Sequence, residues 1–241
     1  MLLTQNYQHF SFDLWLTLIR SNPAFKEKRA AFFHQRFNYC NLSLDGVKHT
    51  FRQVDIMCNL INEKTGKNID ADEMYLMVLS MMNNGDARIW TIDIEKLYTD
   101  MEALLFEHLP VAYCDRTIAV LSHLKKTKTA TIGILSNTGF IKGVTLRKVL
   151  NQIGIDEFID YQLYSDEVGM SKPNPQFFKM MLDQLSTHHT QIDLTRVIHI
   201  GDNPVADIAG ANAIGLQSCL INSNNVYLPD IINNAHHVLA T

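Results

Sequence analysis

From residue 113 onward, short apolar runs alternate with stretches of helical periodicity, and no other feature constrains the chain as tightly. Helices are expected over 117–124, 144–153, 175–185 and 205–213, with strands over 129–135, 161–164, 197–200 and 218–221. Strands joined by right-handed helical crossovers build a parallel sheet covered on both faces, so the fold class is α/β, a Rossmann-like three-layer core. An apolar run over 10–14 supplies its first strand. Ligands of such sheets gather beyond the carboxyl ends of the strands. Asp13, Ser136 and Asp202 each close or follow an apolar run, so the topology predicts that they meet in space.

Residues 21–110 follow a different rule. Val47, Phe51, Val54, Cys58 and Ile61 recur at helical spacing, as do Ile94, Leu97, Tyr98, Met101, Leu104 and Leu105. Each set forms one apolar face. Phe25, Phe32, Phe33 and Phe37 suggest another, and the run from Met74 to Met82 reads as buried helix. The expected organisation is therefore a core of residues 1–20 and 111–241 interrupted by an all-helical insertion at 21–110. A chain of 241 residues, 46% hydrophobic, is long enough for both parts.

Composition narrows the function. With a net charge of −4 and no dominant Lys/Arg cluster, a nucleic-acid partner is not expected. Cys40, Cys58, Cys114 and Cys219 lack CxxC spacing, which argues against a zinc knuckle or a disulfide framework and for reduced thiols in a cytoplasmic protein. Residues 1–10 lack the pattern of a secretory leader, and no run approaches membrane-spanning length. The histidines form no HExxH motif, and the pairs His188-His189 and His236-His237 are expected at the surface. No Gly-rich phosphate loop of the P-loop type appears.

Four short segments carry the chemistry: Phe12-Asp13-Leu14-Trp15-Leu16-Thr17, Leu135-Ser136-Asn137-Thr138, Ser171-Lys172-Pro173-Asn174-Pro175, and Gly201-Asp202-Asn203-Pro204-Val205-Ala206-Asp207. Singly, each has a plain structural explanation. Asp13 is a turn or helix-capping residue, Ser136 and Asn137 cap a helix, Lys172 is a solvated lysine, and the acids of the last segment answer a helix dipole. Grouped at one sheet edge, three aspartates against one lysine leave a negative cluster that a hard divalent cation would relieve.

In order and spacing these segments resemble the haloacid dehalogenase superfamily of phosphohydrolases, phosphomutases and dehalogenases. The resemblance implies that Asp13 is a nucleophile forming an aspartyl phosphate. It implies that Lys172 steadies that nucleophile, and that Thr17, Ser136, Asn137 and Lys172 bind the phosphoryl group. It also implies Mg2+ held by Asp13, Asp202, Asp207 and the main-chain carbonyl of Trp15. The helical insertion resembles the cap that covers the site and selects substrates, here a small phosphorylated metabolite.

Trp15 departs from the pattern. Phosphatases of the superfamily carry a second aspartate there, which protonates the leaving oxygen and later activates water. Loss of such a group costs about 10² to 10⁴ in rate. The usual Gly-Thr is altered to Leu16-Thr17. A 2-haloacid dehalogenase is the alternative, since that family has an aromatic residue at this position and a leaving halide needs no proton; Arg20 or Arg29 would supply its cap-side arginine. Phosphonate cleavage through Lys48 is more remote. A catalytically silent fold, with Trp15 filling the pocket, is the third. Substrate identity and oligomeric state are not written in these motifs.

Overall fold

The computed structural model describes residues 7–126 and 130–233. Strand β1 (His9–Phe12) leads into a two-residue strand β2 (Ile19–Arg20), then helices α1 (Pro23–Arg36), α2 (Leu44–Thr65), α3 (Ala71–Met82) and α4 (Ile94–Glu107). The chain returns through β3 (Val111–Ala112), which pairs antiparallel with β2. It then alternates α5 (Thr117–Lys126), β4 (Thr131–Ser136), α6 (Gly143–Gln152), β5 (Tyr161–Tyr164), α7 (Ser165–Val168), α8 (Pro175–Ser186) and β6 (Val197–Gly201). Strand β7 (Gln217–Leu220) and α10 (Asp230–Asn233) follow a short α9 (Gly210–Asn212).

Five strands form one parallel sheet in the order β5-β4-β1-β6-β7. Its register sets Phe12 level with Ile134 and Ile200, so Asp13, Ser136 and Asp202 leave the same edge. Phe10 and Phe12 project into a core shared with Val120, Leu121 and Leu124 of α5 and Leu146, Val149 and Leu150 of α6. On the other face Phe177, Phe178, Met181 and Leu185 of α8 pack with Leu135 and Val197. Two apolar layers around one sheet make the three-layer architecture.

The helical insertion is punctuated locally. Asn22 caps α1 with Pro23 at its first position, Ser43 caps α2, and Asp70 with Glu73 forms a capping box on α3. Gly66 ends α2 at φ 67°, a left-handed conformation that favours glycine. The four helices bury a core of their own around Phe33, Phe51, Val54, Met74, Tyr75, Val78, Leu79, Leu97 and Met101.

Three local expectations shift. Strand β1 stops at Phe12 rather than running over 10–14, because the Leu14 carbonyl accepts from both Leu18 and Ile19 in a tight turn. The buried stripe of α2 continues from Cys58 to Asn62, four residues on, which leaves Ile61 exposed. In place of one helix over 205–213, a wide π-type turn (Pro204–Ala209) precedes α9. Asn203 holds its start, its side chain accepting from Val205 and Ala206 and its carbonyl from Asp207. Residue 129 of the expected strand and His236-His237 lie outside the described residues.

Candidate active site

Parallel register brings the four sequence segments to one edge of the sheet. Asp13 follows β1, and its N–H donates to the Ile200 carbonyl of β6 at 2.9 Å. Lys172 reaches in from the loop before α8 and is buried. Its Nζ lies 2.8 Å from Asp13 Oδ1 and 2.6 Å from Asp207 Oδ1. Ser136 Oγ, at the end of β4, donates to Asp13 Oδ1 at 3.3 Å. Asp202 completes the group: Asp13, Asp202 and Asp207 each offer a carboxylate oxygen within 4.8 Å of the others.

The electrostatics match this crowding. Burial raises the pKa of Asp13, opposed by the Lys172 ammonium and reinforced by Asp207. Asp202 is pushed up to about 7, first by burial and then by the charges of Asp13 and Asp207. Burial alone would also raise Asp207, but Lys172 and the imidazole of His199 bring it below the usual carboxylate range. Lys172 is raised, since its two carboxylates outweigh its desolvation. The cluster thus holds more negative charge than its one ammonium balances. An all-oxygen donor set of this kind fits a hard divalent ion.

Other expected residues take distinct positions. Thr17 is buried and its hydroxyl has no hydrogen-bond partner. Asn137 does not stand free: its Nδ2 donates to the Lys172 carbonyl at 3.0 Å, while its Oδ1 accepts from the Lys172 N–H at 2.7 Å. The amide therefore clamps the backbone that carries the lysine. Both oxygens of Asp207 are likewise engaged, Oδ1 by Lys172 and His199 and Oδ2 by the Asn203 N–H at 2.9 Å. Trp15 is half-buried against the core around Phe12 and Leu18. Leu16 beside it is exposed at φ 60°, and the Asn222 side chain donates to its carbonyl at 2.7 Å.

The helical insertion packs against the loops at this edge. Phe140, from the loop after β4, inserts into the insertion's core, with ring centroids 5.4 Å from Phe51 and 5.1 Å from Tyr75. Asn203 donates to Glu63 of α2 at 2.6 Å. The Gly66 carbonyl accepts from the Ser171 N–H and the Asn174 side chain, both at 3.1 Å. On another side Lys142 pairs with Asp72 at 2.8 Å. Arg29 is buried beneath Phe51, Phe140 and Phe25, its guanidinium carbon 4.2 Å from the nearest ring centroid and its Nε unpartnered. Arg20 is exposed, and Lys48 pairs with Glu27 and Asp45.

Sequence reasoning missed Ser11, His199, Asn203 and Glu63. His199 is a polar residue inside an otherwise apolar strand, and Ser11 lies between Phe10 and Phe12, a signal that was present in the sequence. His188 is exposed as expected, but His189 is partly buried against the Thr131 hydroxyl. Among the described residues, no helix is long and apolar enough to cross a membrane.

Comparison with known proteins places the chain in a family and a fold. A family model described as haloacid dehalogenase-like hydrolase matches residues 12–221. Pyrimidine 5'-nucleotidase YjjG of Escherichia coli (strain K12) is 34% identical over 101 residues, which is 42% of this chain and 42% of that protein. The matched stretch is therefore less than half of that relative's length. The HAD-hydrolase YfnB from Bacillus subtilis, solved bound to magnesium, superposes with a TM-score of 0.69 at 20% identity, covering 92% of this chain and 91% of that one. L-2-haloacid dehalogenase from Xanthobacter autotrophicus gives a TM-score of 0.58 at 15% identity, covering 89% and 77%. The two structural likenesses concern the fold.

Proposed function

The chain belongs to the haloacid dehalogenase-like hydrolases, and from that premise we propose that it is a magnesium-dependent phosphohydrolase acting on a small phosphorylated metabolite. The observation that carries the proposal is the acidic cluster at the strand ends, bridged from Asp13 to Asp207 by the buried Lys172. Asp13 is the nucleophile: its carboxylate oxygen bonds to phosphorus as the bond from phosphorus to the leaving oxygen breaks, the leaving group departs with that electron pair as an anion that solvent protonates, and water then attacks the aspartyl phosphate, releasing inorganic phosphate and regenerating the carboxylate. Lys172 and the Ser136 hydroxyl hold that carboxylate in place for attack. The unpartnered Thr17 hydroxyl and main-chain N–H groups at the strand ends are donors for the phosphoryl oxygens.

Asp13, Asp202 and the Trp15 carbonyl are the proposed magnesium ligands. Asp207, with both oxygens already accepting hydrogen bonds, supports the site through Lys172 and the Asn203 backbone. When bound, the ion neutralises phosphate charge and polarises the phosphorus. Residues 1–20 and 111–241 act as the catalytic core and 21–110 as its cap. Four unpaired cysteines fit a reducing, cytoplasmic setting.

Trp15 has no proton to give, so substrates with acidic leaving groups are favoured. The test is phosphate release from acetyl phosphate, p-nitrophenyl phosphate and sugar phosphates, with magnesium or chelator and with Asp13→Asn as the blank. Release that needs both magnesium and Asp13 is the expected result, fastest for acetyl phosphate. Metal-independent halide release from 2-haloacids, without phosphate release, would replace this proposal with a dehalogenase.

A further inference from the structure

Beneath the carboxylates lie two polar side chains that the proposed reaction does not touch. Ser11 precedes Asp13 by two residues on β1, His199 precedes Asp202 by three on β6, and both are fully buried. They are register partners across the two strands. Ser11 Oγ is 2.8 Å from His199 Nδ1, and His199 Nε2 is 3.1 Å from Asp207 Oδ1. That same oxygen meets Lys172 Nζ at 2.6 Å, and Lys172 Nζ meets Asp13 Oδ1 at 2.8 Å. The Phe178 ring stands edge-on to the imidazole with centroids 5.2 Å apart.

The direction of every link follows from donor and acceptor chemistry. A carboxylate only accepts, so His199 carries its proton on Nε2. Burial lowers the pKa of His199, and in the neutral imidazole with its proton on Nε2 the Nδ1 atom accepts and the Ser11 hydroxyl donates. The chain then runs from Ser11 to His199 to Asp207, with Lys172 donating to Asp207 and Asp13 together. Central strands buried on both faces ordinarily carry apolar residues at such positions. A serine and a histidine there lose hydration that only these hydrogen bonds replace.

We propose that Ser11 and His199 are positioning residues for the nucleophile: they lock the Asp207 carboxylate in the orientation that divides the Lys172 ammonium between Asp207 and Asp13. Gly201 belongs to the same device, since a Cβ there would collide with the Asp207 carboxylate. Without the Nε2 donor, only the Asn203 N–H and Lys172 hold Asp207, and its carboxylate tilts and draws Lys172 away from Asp13. The inference rests on Asp13 being the nucleophile.

The test compares His199→Phe, which removes the donor, with His199→Gln, whose amide N–H replaces Nε2, and with Ser11→Ala. Folding is checked by thermal melting. With acetyl phosphate and magnesium, His199→Phe is expected to lower kcat about tenfold or more with KM within about twofold, as a misplaced reacting group does. His199→Gln should recover most of that loss, and Ser11→Ala should show a smaller fall in kcat. Native kcat in His199→Phe, or a Gln variant as slow as Phe, overturns the proposal.

A second readout does not need turnover. The nitrogen-15 ammonium resonance of Lys172, identified by its loss in Lys172→Met, should shift or broaden in His199→Phe and return in His199→Gln. An unchanged resonance overturns the inference. Wild-type protein that releases no phosphate defeats the phosphohydrolase proposal instead, and the resonance still decides this one.

Discussion

The floor of the site and its roof are stabilised by opposite means. At the strand ends, Asp13, Asp207, Lys172, His199 and Ser11 are joined by hydrogen bonds of 2.6–3.1 Å, with each charge held against another. Above them the helical insertion is an aromatic and aliphatic core, and its buried Arg29 lies against the rings of Phe51 and Phe140. The contrast teaches that the floor depends on direction and the roof on volume. Charges in the floor are correct only in one geometry, whereas the apolar roof tolerates substitutions that conserve size.

Lys172→Met breaks the contrast most severely. It strands the Asp13 and Asp207 carboxylates in the interior and should cost about 3–5 kcal/mol of stability at neutral pH, measurable by urea unfolding. A loss no larger than that of an ordinary core substitution would mean that the floor is held by packing. Phe140→Ala probes the roof. It removes a ring lodged against Phe51 and Tyr75 and should cost about 3 kcal/mol. That cost should show no dependence on magnesium.

Trp15→Asp tests the junction between the two regions. Placing a carboxyl two positions after the proposed nucleophile should raise hydrolysis of sugar phosphates by about 10²-fold, with little change for acetyl phosphate. A folded variant without that gain would show that the missing acid is not what limits the reaction.

The charged floor should also respond to pH. Asp202 titrates near 7, above its unfolded value, so the folded protein binds more protons and loses stability as pH rises from about 4 to 7. Asp207 is depressed, so its contribution is present above the unfolded value and is lost only as pH falls through the folded one. In chelator the melting temperature of the wild type relative to Asp202→Asn should therefore fall between pH 5 and 7.5, and magnesium should reverse the fall; the comparison cancels the opposite contribution of His9 and His199, whose pKa values burial lowers. The smallest expected effect is at Leu16, where φ 60° disfavours a branched side chain. Leu16→Gly should gain up to about 1 kcal/mol, read from the same melting experiment.

How much the sequence revealed follows the same division. The strand ends were legible because apolar runs stop there, and a parallel sheet brings such stops together whatever their separation in the chain. The helices of the insertion were legible from periodicity, down to the faces that carry Phe51 and Met101. Partnership was not. That Ser11 faces His199 depends on register between strands 188 residues apart, and that Asn137 clamps the Lys172 backbone depends on how two loops meet. The π-type turn at Pro204–Ala209 was hidden because Asn203 sets its shape through hydrogen bonds that periodicity does not encode.

The β2–β3 ribbon has a consequence for how such molecules diversify. The chain leaves the sheet at Arg20 and returns at Val111, and these two residues sit opposite each other as neighbours in an antiparallel pair. Everything between them is a cassette whose two ends are already side by side. Such a cassette can be exchanged, lengthened or trimmed without altering a single strand of the five-stranded sheet, so the two parts are free to change at different speeds.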